Sequence, residues 1–188
     1  MLHRILNPRP VSAHSVRRLT SADVDTVYEL RCEWAQESDP APKQLDRWGP
    51  GIAVFVPPAG VETAPRHYEL TPTEPSQAMH QTLNALVDNR DAGCLVAVTD
   101  SQPAGFVTFA AVTHPAMPGV VGTIDMLFVR RPHRRCGIGT ALVGRALDDL
   151  RQRHVHVFRV EYDRSDPRAA GFWKALGWNE ASVSYLHE

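Results

Sequence analysis

Arg134 and Arg135 stand just ahead of Cys136-Gly137-Ile138-Gly139-Thr140, where strand-forming residues give way to a strong helical pattern. Those residue types, in that order, build an anion cradle. Glycines let a backbone approach a ligand closely and take positive φ, and a helix N-terminus offers N–H groups with no intrahelical acceptor. Two guanidiniums beside it bring positive charge to the place where a pyrophosphate would sit. A lone G-x-G is more often a plain strand-to-helix turn with a solvated basic edge. The strand before it, the helix after it and the flanking arginines set this one apart.

Two other phosphate-binding patterns fail on their own terms. A dinucleotide fingerprint needs a third glycine where Leu142 stands. Glu161 sits about where a ribose-binding acid would, yet only a helix and one strand's worth of chain follow it, too little for the rest of a Rossmann sheet. A P-loop reading of Gly139 through Gly144 and Arg145 lacks the lysine and the Ser/Thr and falls inside the helix.

Arg134-x-x-Gly137-x-Gly139 resembles the acetyl-CoA signature of the GNAT acetyltransferases, Q/R-x-x-G-x-G/A. The approach Ile124-Asp125-Met126-Leu127-Phe128-Val129, followed by Pro132, is similar to that family's fourth strand. Asp166-Pro-Arg-Ala169-Ala-Gly-Phe172-Trp173-Lys-Ala-Leu176-Gly177-Trp178 is similar to its second signature, N-x-x-A-x-x-F-Y followed by L-G-F. The match is close over residues 105–178 and looser before them. It implies an α/β (α+β) fold: a mixed, mostly antiparallel sheet flanked by helices and splayed open between its fourth and fifth strands. It also implies acetyl-CoA as acyl donor. Leu127, Phe128 and Val129 would offer backbone groups to the pantetheine arm, Arg134, Arg135, Cys136, Gly137, Ile138, Gly139 and Thr140 would hold the pyrophosphate, and Asp166 and Phe172 would lie beside the arm.

Moving an acetyl group from a thioester to an amine sets three demands: a neutral amine, a donor for the oxyanion and a departing thiolate. A lysine-like amine has a pKa of about 10.4, so on the order of one in a thousand is neutral at pH 7. A general base therefore matters. Asp125, on the fourth strand, and Glu161, on the fifth, are the candidates; by resemblance, many relatives carry an acid at the first position and the ribosomal-protein acetyltransferases use the second. Asp125 is equally suited to pairing an arginine, and Glu161 to capping an edge. The oxyanion would meet a backbone N–H of the 127–129 segment. The tyrosine that serves the family as general acid is replaced by Trp173, whose indole N–H donates but is no usable acid. Trp34, Glu37 and Trp173 are candidates for an acceptor pocket. The reaction expected is N-acetylation of a small-molecule primary amine, such as an amino acid, polyamine or amino-sugar. Protein or peptide N-acetylation and a non-catalytic acyl-CoA sensor are the alternatives.

The elements that must position these residues can be read around them. Residues 1–15 read as a mobile arm and 16–188 as a single GNAT domain. Residues 16–19 look like a strand, with Thr20 or Ser21 capping a helix through about Glu37. Eight of the fifteen prolines fall within residues 39–75, which forbids a long helix and reads as a lid or acceptor-binding insertion; residues 52–56 and 67–70 could form a small hairpin there. A helix is expected over 77–89, strands over 95–98, 105–113, 120–129, 155–162 and 182–186, and helices over 137–153 and from 166 to Gly177. Asp100-Ser101-Gln102-Pro103 is a turn signal.

The bulk properties fit this reading. A chain of 188 residues with 43% apolar and 22% charged residues is one ordinary globular domain. Its formal net charge of −1 offers no field to draw nucleic acid or an anionic membrane, and no run is apolar enough to span a bilayer. Cys32, Cys94 and Cys136 match no zinc spacing and no even disulfide set, so no metal and a reducing, cytoplasmic compartment are expected. A homodimer is left open.

Overall fold

Runs rich in Val, Phe, Ala and Thr pair into one sheet in the computed structural model, which describes residues 14–38, 75–113, 119–162 and 166–180. Among these residues the strands are β1 (His14–Arg18), β2 (Ala92–Thr99), β3 (Gln102–Thr113), β4 (Val120–Val129) and β5 (Val157–Val160), side by side in that order. The first three pairings are antiparallel; β4 and β5 run parallel. The helices are α1 (Val24–Ser38), α2 (Pro75–Val87), α3 (Ile138–Arg151) and α4 (Pro167–Ala175).

The sheet is buried on both faces, and strand alternation sorts its side chains between two cores. Cys94 and Val96 of β2, with Phe106 and Ala110 of β3, pack under α1 and α2 against Val27, Leu30, Met79 and Leu83. Leu95, Ala97, Val107 and Phe109 face the other way, onto Leu142, Ala146 and Leu150 of α3 and Trp173 of α4. Ile138, Leu142, Ala146 and Leu150 step by four along α3 and form its buried stripe.

One irregularity in this alternation matters for the site. Phe109 pairs with Ile124 and Thr108 with Met126, so Asp125 has no partner on β3. It is the extra residue of a β-bulge, and it reverses the parity of the strand. Ile124 faces the α3 side, whereas Met126 and Phe128 face the α1 side; an unbulged strand would put all three on one face. The hydroxyl of Thr108, fully buried, accepts a hydrogen bond from the Met126 N–H at 3.1 Å and so satisfies the broken ladder.

The parallel pairing runs only from Val121↔Val157 to Ile124↔Val160. Past Ile124, β4 keeps β3 on one side and has no described strand on the other. The expected splay is therefore present, and it opens at Asp125.

Several boundaries differ from the sequence reading for local reasons. The fifth strand was expected from Val155 but starts at Val157. The turn after α3 is a Schellman motif: His154 takes φ +61°, its N–H bonds the Arg151 carbonyl at 2.9 Å, and the Val155 N–H bonds the Leu150 carbonyl at 3.2 Å. A residue type other than glycine at the left-handed position hides that motif from inspection. Gly177, with φ +81°, ends α4 in the same way, as its sequence signal implied. Asp100 and Ser101, both at positive φ, form the two-residue hairpin loop, and Gln102 already belongs to β3. His14 and Ser15, read as arm, lie in β1. The rest of the arm, the Pro-rich segment up to residue 74 with its hairpin, and the closing strand lie outside the described residues.

Thr108→Val keeps the shape of the side chain and removes the acceptor. Loss of about 1–3 kcal/mol of unfolding free energy is expected from the unpaired Met126 N–H, measured by urea denaturation; unchanged stability would show that the bulge does not lean on this hydroxyl.

Candidate functional site

The turn between β4 and α3 is shaped by two left-handed residues, Arg135 at φ +65° and Gly137 at φ +81°. Gly137 is the N-cap of α3, and its carbonyl accepts the first helical bond from Ala141 at 2.9 Å. A Cβ on Gly137 would meet no atom within 4 Å. The glycine there answers to backbone conformation, and the space above it is open to a ligand. No side chain caps the helix, so the N–H groups of its first turn remain available to an anion. Arg135 is exposed and has no carboxylate partner among the described residues. Ile138 is buried in the α3-side core, while Thr140 is exposed. Cys136 is half-buried, its Sγ donating to the Arg134 carbonyl at 3.5 Å.

Gly139 is small for a different reason. A Cβ there would lie 3.2 Å from Cε2 and 3.4 Å from Cζ of Phe172. The ring of Phe172 therefore rests on the first turn of α3, joining the two sequence signatures in space. Trp173, next to it, is buried in the α3-side core, edge-on to Phe172 with ring centroids 5.0 Å apart and to Trp178 at 5.2 Å. Asp166 caps α4, accepting from the Arg168 N–H at 2.9 Å, and the Arg168 guanidinium holds its carboxyl below the usual range.

Arg134 is not a free cation. Its Nε donates to the Val129 carbonyl at 2.7 Å, its Nη2 pairs with Glu37 at 2.5 Å, and its guanidinium lies 5.6 Å from the centre of the Phe128 ring. One turn earlier on both elements, Arg130 makes a bidentate pair with Glu33, with contacts of 2.7 to 3.1 Å, and donates to the Pro103 carbonyl at 3.0 Å. Two carboxylates spaced i,i+4 on α1 thus clamp two arginines spaced i,i+4 at the end of β4. The structure gives Glu37 this partner and puts Trp34, half-buried, against the α1-side core. Sequence reasoning passed over Glu33 and Arg130. The matching spacing was visible, but nothing local joins residues 97 apart.

The splay exposes a backbone edge. The N–H groups of Met126 and Arg130 point to β3, bonding Thr108 Oγ1 and the Ala104 carbonyl at 2.8 Å. By alternation the peptide groups of Leu127 and Val129 point the other way, into the opening. The Val129 carbonyl is taken by Arg134. The Val129 N–H and both groups of Leu127 face space with no described strand to pair them.

Beside this edge lies a cleft of about 210 Å³ lined by Thr123, Ile124, Asp125, Arg159 and Glu161. It brings the two candidate bases together. Asp125 Oδ2 is buried with no hydrogen-bond partner. Burial pushes its carboxyl above the usual value, a hydrogen bond with Thr123 works against that, and the nearby charge of Glu161 adds to it. Glu161 stands just beyond the end of β5, exposed and ion-paired with Arg159. Trp34, Glu37 and Trp173 do not line this cleft. Among the described residues no group of three or more His, Cys, Asp or Glu is gathered to hold a metal, and no helix is long and apolar enough to cross a membrane.

A model of the acetyltransferase (GNAT) family matches residues 62–178, more than half of the chain. The chain belongs to this family. No curated protein sequence matches it, but solved structures do. A ribosomal-protein-alanine N-acetyltransferase from Brucella melitensis biovar Abortus 2308 is 18% identical, with TM-score 0.61 over 94% of this chain and 99% of that one. An aminoglycoside N-acetyltransferase in complex with CoA is 14% identical, with TM-score 0.67 over 97% and 98%. A predicted acetyltransferase with acetyl-CoA from Clostridium acetobutylicum is 14% identical, with TM-score 0.62 over 94% and 96%. At these identities the likeness is one of fold, and this GNAT chain's acceptor must be argued from its own cleft.

Two outcomes follow from the geometry. Gly137→Ala forces a Cβ into the left-handed region and should cost about 1–2 kcal/mol of stability, read from chemical denaturation; no loss would mean the turn can relax. Asp125→Asn should raise the melting temperature near neutral pH. A carboxyl whose folded pKa is raised binds its proton more tightly in the folded state, so stability falls as pH rises through its titration, and asparagine removes that fall. The gain should shrink on acidification and vanish below about pH 4; a gain independent of pH would sink the assignment.

Proposed function

We propose that the protein is an N-acetyltransferase that moves an acetyl group from acetyl-CoA to a primary amine of a small molecule by direct attack. The observation that carries this reading is the juxtaposition at the splay: a buried, unpartnered carboxylate oxygen on Asp125 beside the peptide groups of Leu127 and the Val129 N–H, which have no strand partner among the described residues. The α3 end of the same opening fits the donor's pyrophosphate, since it combines open space over Gly137, an uncapped helix N-terminus and the exposed Arg135. Leu127 and Val129 would hold the pantetheine amides as a further strand would, with Phe172 walling the arm at Gly139. Arg134 keeps the loop in position from behind.

When bound, acetyl-CoA supplies an activated carbonyl and a thiol leaving group. Asp125 takes the proton from the incoming ammonium or amine; its raised pKa makes it a stronger base than a solvated aspartate. Glu161 at the rim draws a cation toward the cleft and keeps Asp125 basic. A backbone N–H on the 127–129 edge faces the developing oxyanion at no cost of reorganisation. Trp173, buried among Phe172 and Trp178, donates no proton to sulfur. A thiol of pKa about 8.5 leaves readily enough as thiolate and takes its proton from water. The small volume of the cleft supports a small acceptor over a folded protein surface, and three free cysteines suit the cytoplasm.

The test is a thiol-release screen of small amines and peptides with acetyl-CoA, repeated with Asp125→Asn and Glu161→Gln. Asp125→Asn should slow turnover roughly 10²–10⁴-fold and remove the acidic limb of the pH profile, while Glu161→Gln mainly raises KM for cationic amines. Full rates for both variants across pH would discard the base assignment. Turnover of peptides alone would move the acceptor to proteins, and binding of acetyl-CoA without turnover of any amine would favour a sensor.

A further inference from the structure

Arg31 is a charged residue with no charged partner among the described residues. It lies on the buried stripe of α1 with Val24, Val27 and Ala35 and is 6% exposed. Its Nε is buried and makes no hydrogen bond. Among the described residues no carboxylate pairs with it, and its guanidinium lies over the Trp34 ring, 5.9 Å from the centroid. Burial pulls its pKa below the usual arginine value, with weaker opposing effects from Cys32 and Tyr28. Every other arginine clamp in this region has its acid: Glu33 for Arg130 and Glu37 for Arg134. A buried, unpaired guanidinium is costly, and an apolar side chain would fill the same place at lower cost.

The fold shows what lies next to it. The N-terminus of α1 and the C-terminus of α2 sit at the same end of the sheet: Leu19, leading into α1, bonds the Cys94 carbonyl, and α2 runs directly into β2. The two helices are therefore antiparallel. Their register is fixed by Tyr28 against His80, ring centroids 4.5 Å apart, and by Asp25 to His80 at 3.0 Å. One turn further along α1 is one turn back along α2, so Arg31 stands opposite the first turn of α2. Unpaired helical N–H groups at that end add to the positive field rather than oppose it. Lengthwise, Arg31 is half a turn from Glu33, which pairs with Arg130 at the end of β4. It is thus level with the open 127–129 edge, on the sheet face of Met126 and Phe128.

We propose that Arg31 is a specificity-determining residue that binds a carboxylate of the acceptor, so the substrate is an amine that also carries a carboxylate, of the amino-acid class. The inference rests on the acetyltransferase reading and narrows its acceptor. A planar guanidinium takes a carboxylate in two parallel hydrogen bonds, and the Nε of Arg31 makes none in the protein. The flat face that remains lies toward Trp34. The division of labour follows from charge: Asp125 and Glu161 receive the ammonium end, and Arg31 receives the anionic end.

The test pairs each amino acid of a broad panel with its amide, which keeps the amine and neutralises the carboxylate. With acetyl-CoA present, the preferred acid should exceed its amide in kcat/KM by roughly tenfold to a hundredfold. Arg31→Gln should bring acid and amide to the same kcat/KM by raising KM for the acid; Arg31→Lys should recover part of the preference. Melting temperature gives a readout independent of turnover. The amino acid, and not its amide, should stabilise the native protein at fixed ionic strength, and Arg31→Gln should lose that response. Arg31→Met should itself be no less stable than the native protein. Equal rates for acid and amide overturn the proposal, as does stabilisation by sodium acetate alone to the same extent as by any amino acid, which would mark a general anion site. Carboxylate-dependent stabilisation without thiol release from any amine would uphold the anion site and reject the transferase reading instead.

Discussion

Past Ile124 the fourth strand has a neighbour on one side only among the described residues, and a strand cannot leave half of its peptide groups unpaired without a use or a cost. The site is organised around that edge. The bulge at Asp125 falls at the very residue where the parallel partner departs, so one irregularity ends the pairing, turns a carboxylate into the opening and resets the alternation for Met126 and Phe128. Thr108 compensates the broken ladder from the closed side. The helix that follows presents its N-terminus to the same opening, which sets a backbone suited to an extended arm beside a terminus suited to phosphates.

Holding that opening in shape falls to the helix at its back. Arg130 and Arg134 would repel each other and drift into solvent as isolated side chains on a turn. Glu33 and Glu37 fix both against α1, and the Arg134 Nε also ties down the Val129 carbonyl. Phe172 on Gly139 closes the other wall, which is why the two signatures need each other despite the helix and strand between them. The conformation of the loop is thus set by contacts on three sides before any ligand arrives.

Much of this was legible in the residues. The fourth strand kept its expected limits, α3 and α4 start where their signals put them within a residue, and the splay falls between the expected strands. Local chemistry decides such features: propensity, period and caps. What escaped notice was decided at a distance or by atypical residues. The bulge leaves no mark in Ile124-Asp125-Met126, because its cause is the register of β3. The left-handed turn at His154 carries no glycine, so the fifth strand was drawn two residues long at that end. Glu37 was set in an acceptor pocket on charge alone, and the structure pairs it with Arg134 from the opposite end of the motif. Trp173 was weighed as a wall of the site, yet its ring belongs to the core, as its size and its place in α4 one turn before Leu176 would lead one to expect.

The pairing of Arg134 with Glu37 also changes how the loop meets an anion from solution. A row of arginines implies attraction that fades steeply with salt, because mobile exposed charges are screened within about 10 Å at 0.1 M. Here one guanidinium is neutralised internally, and the remaining attraction comes from Arg135 together with peptide dipoles fixed at the helix end. Peptide N–H groups act by contact over the first turn and not across the ion atmosphere. On the proposed reading the loop would hold a phosphate at short range more than collect one from afar, and recognition there would follow fit rather than net charge.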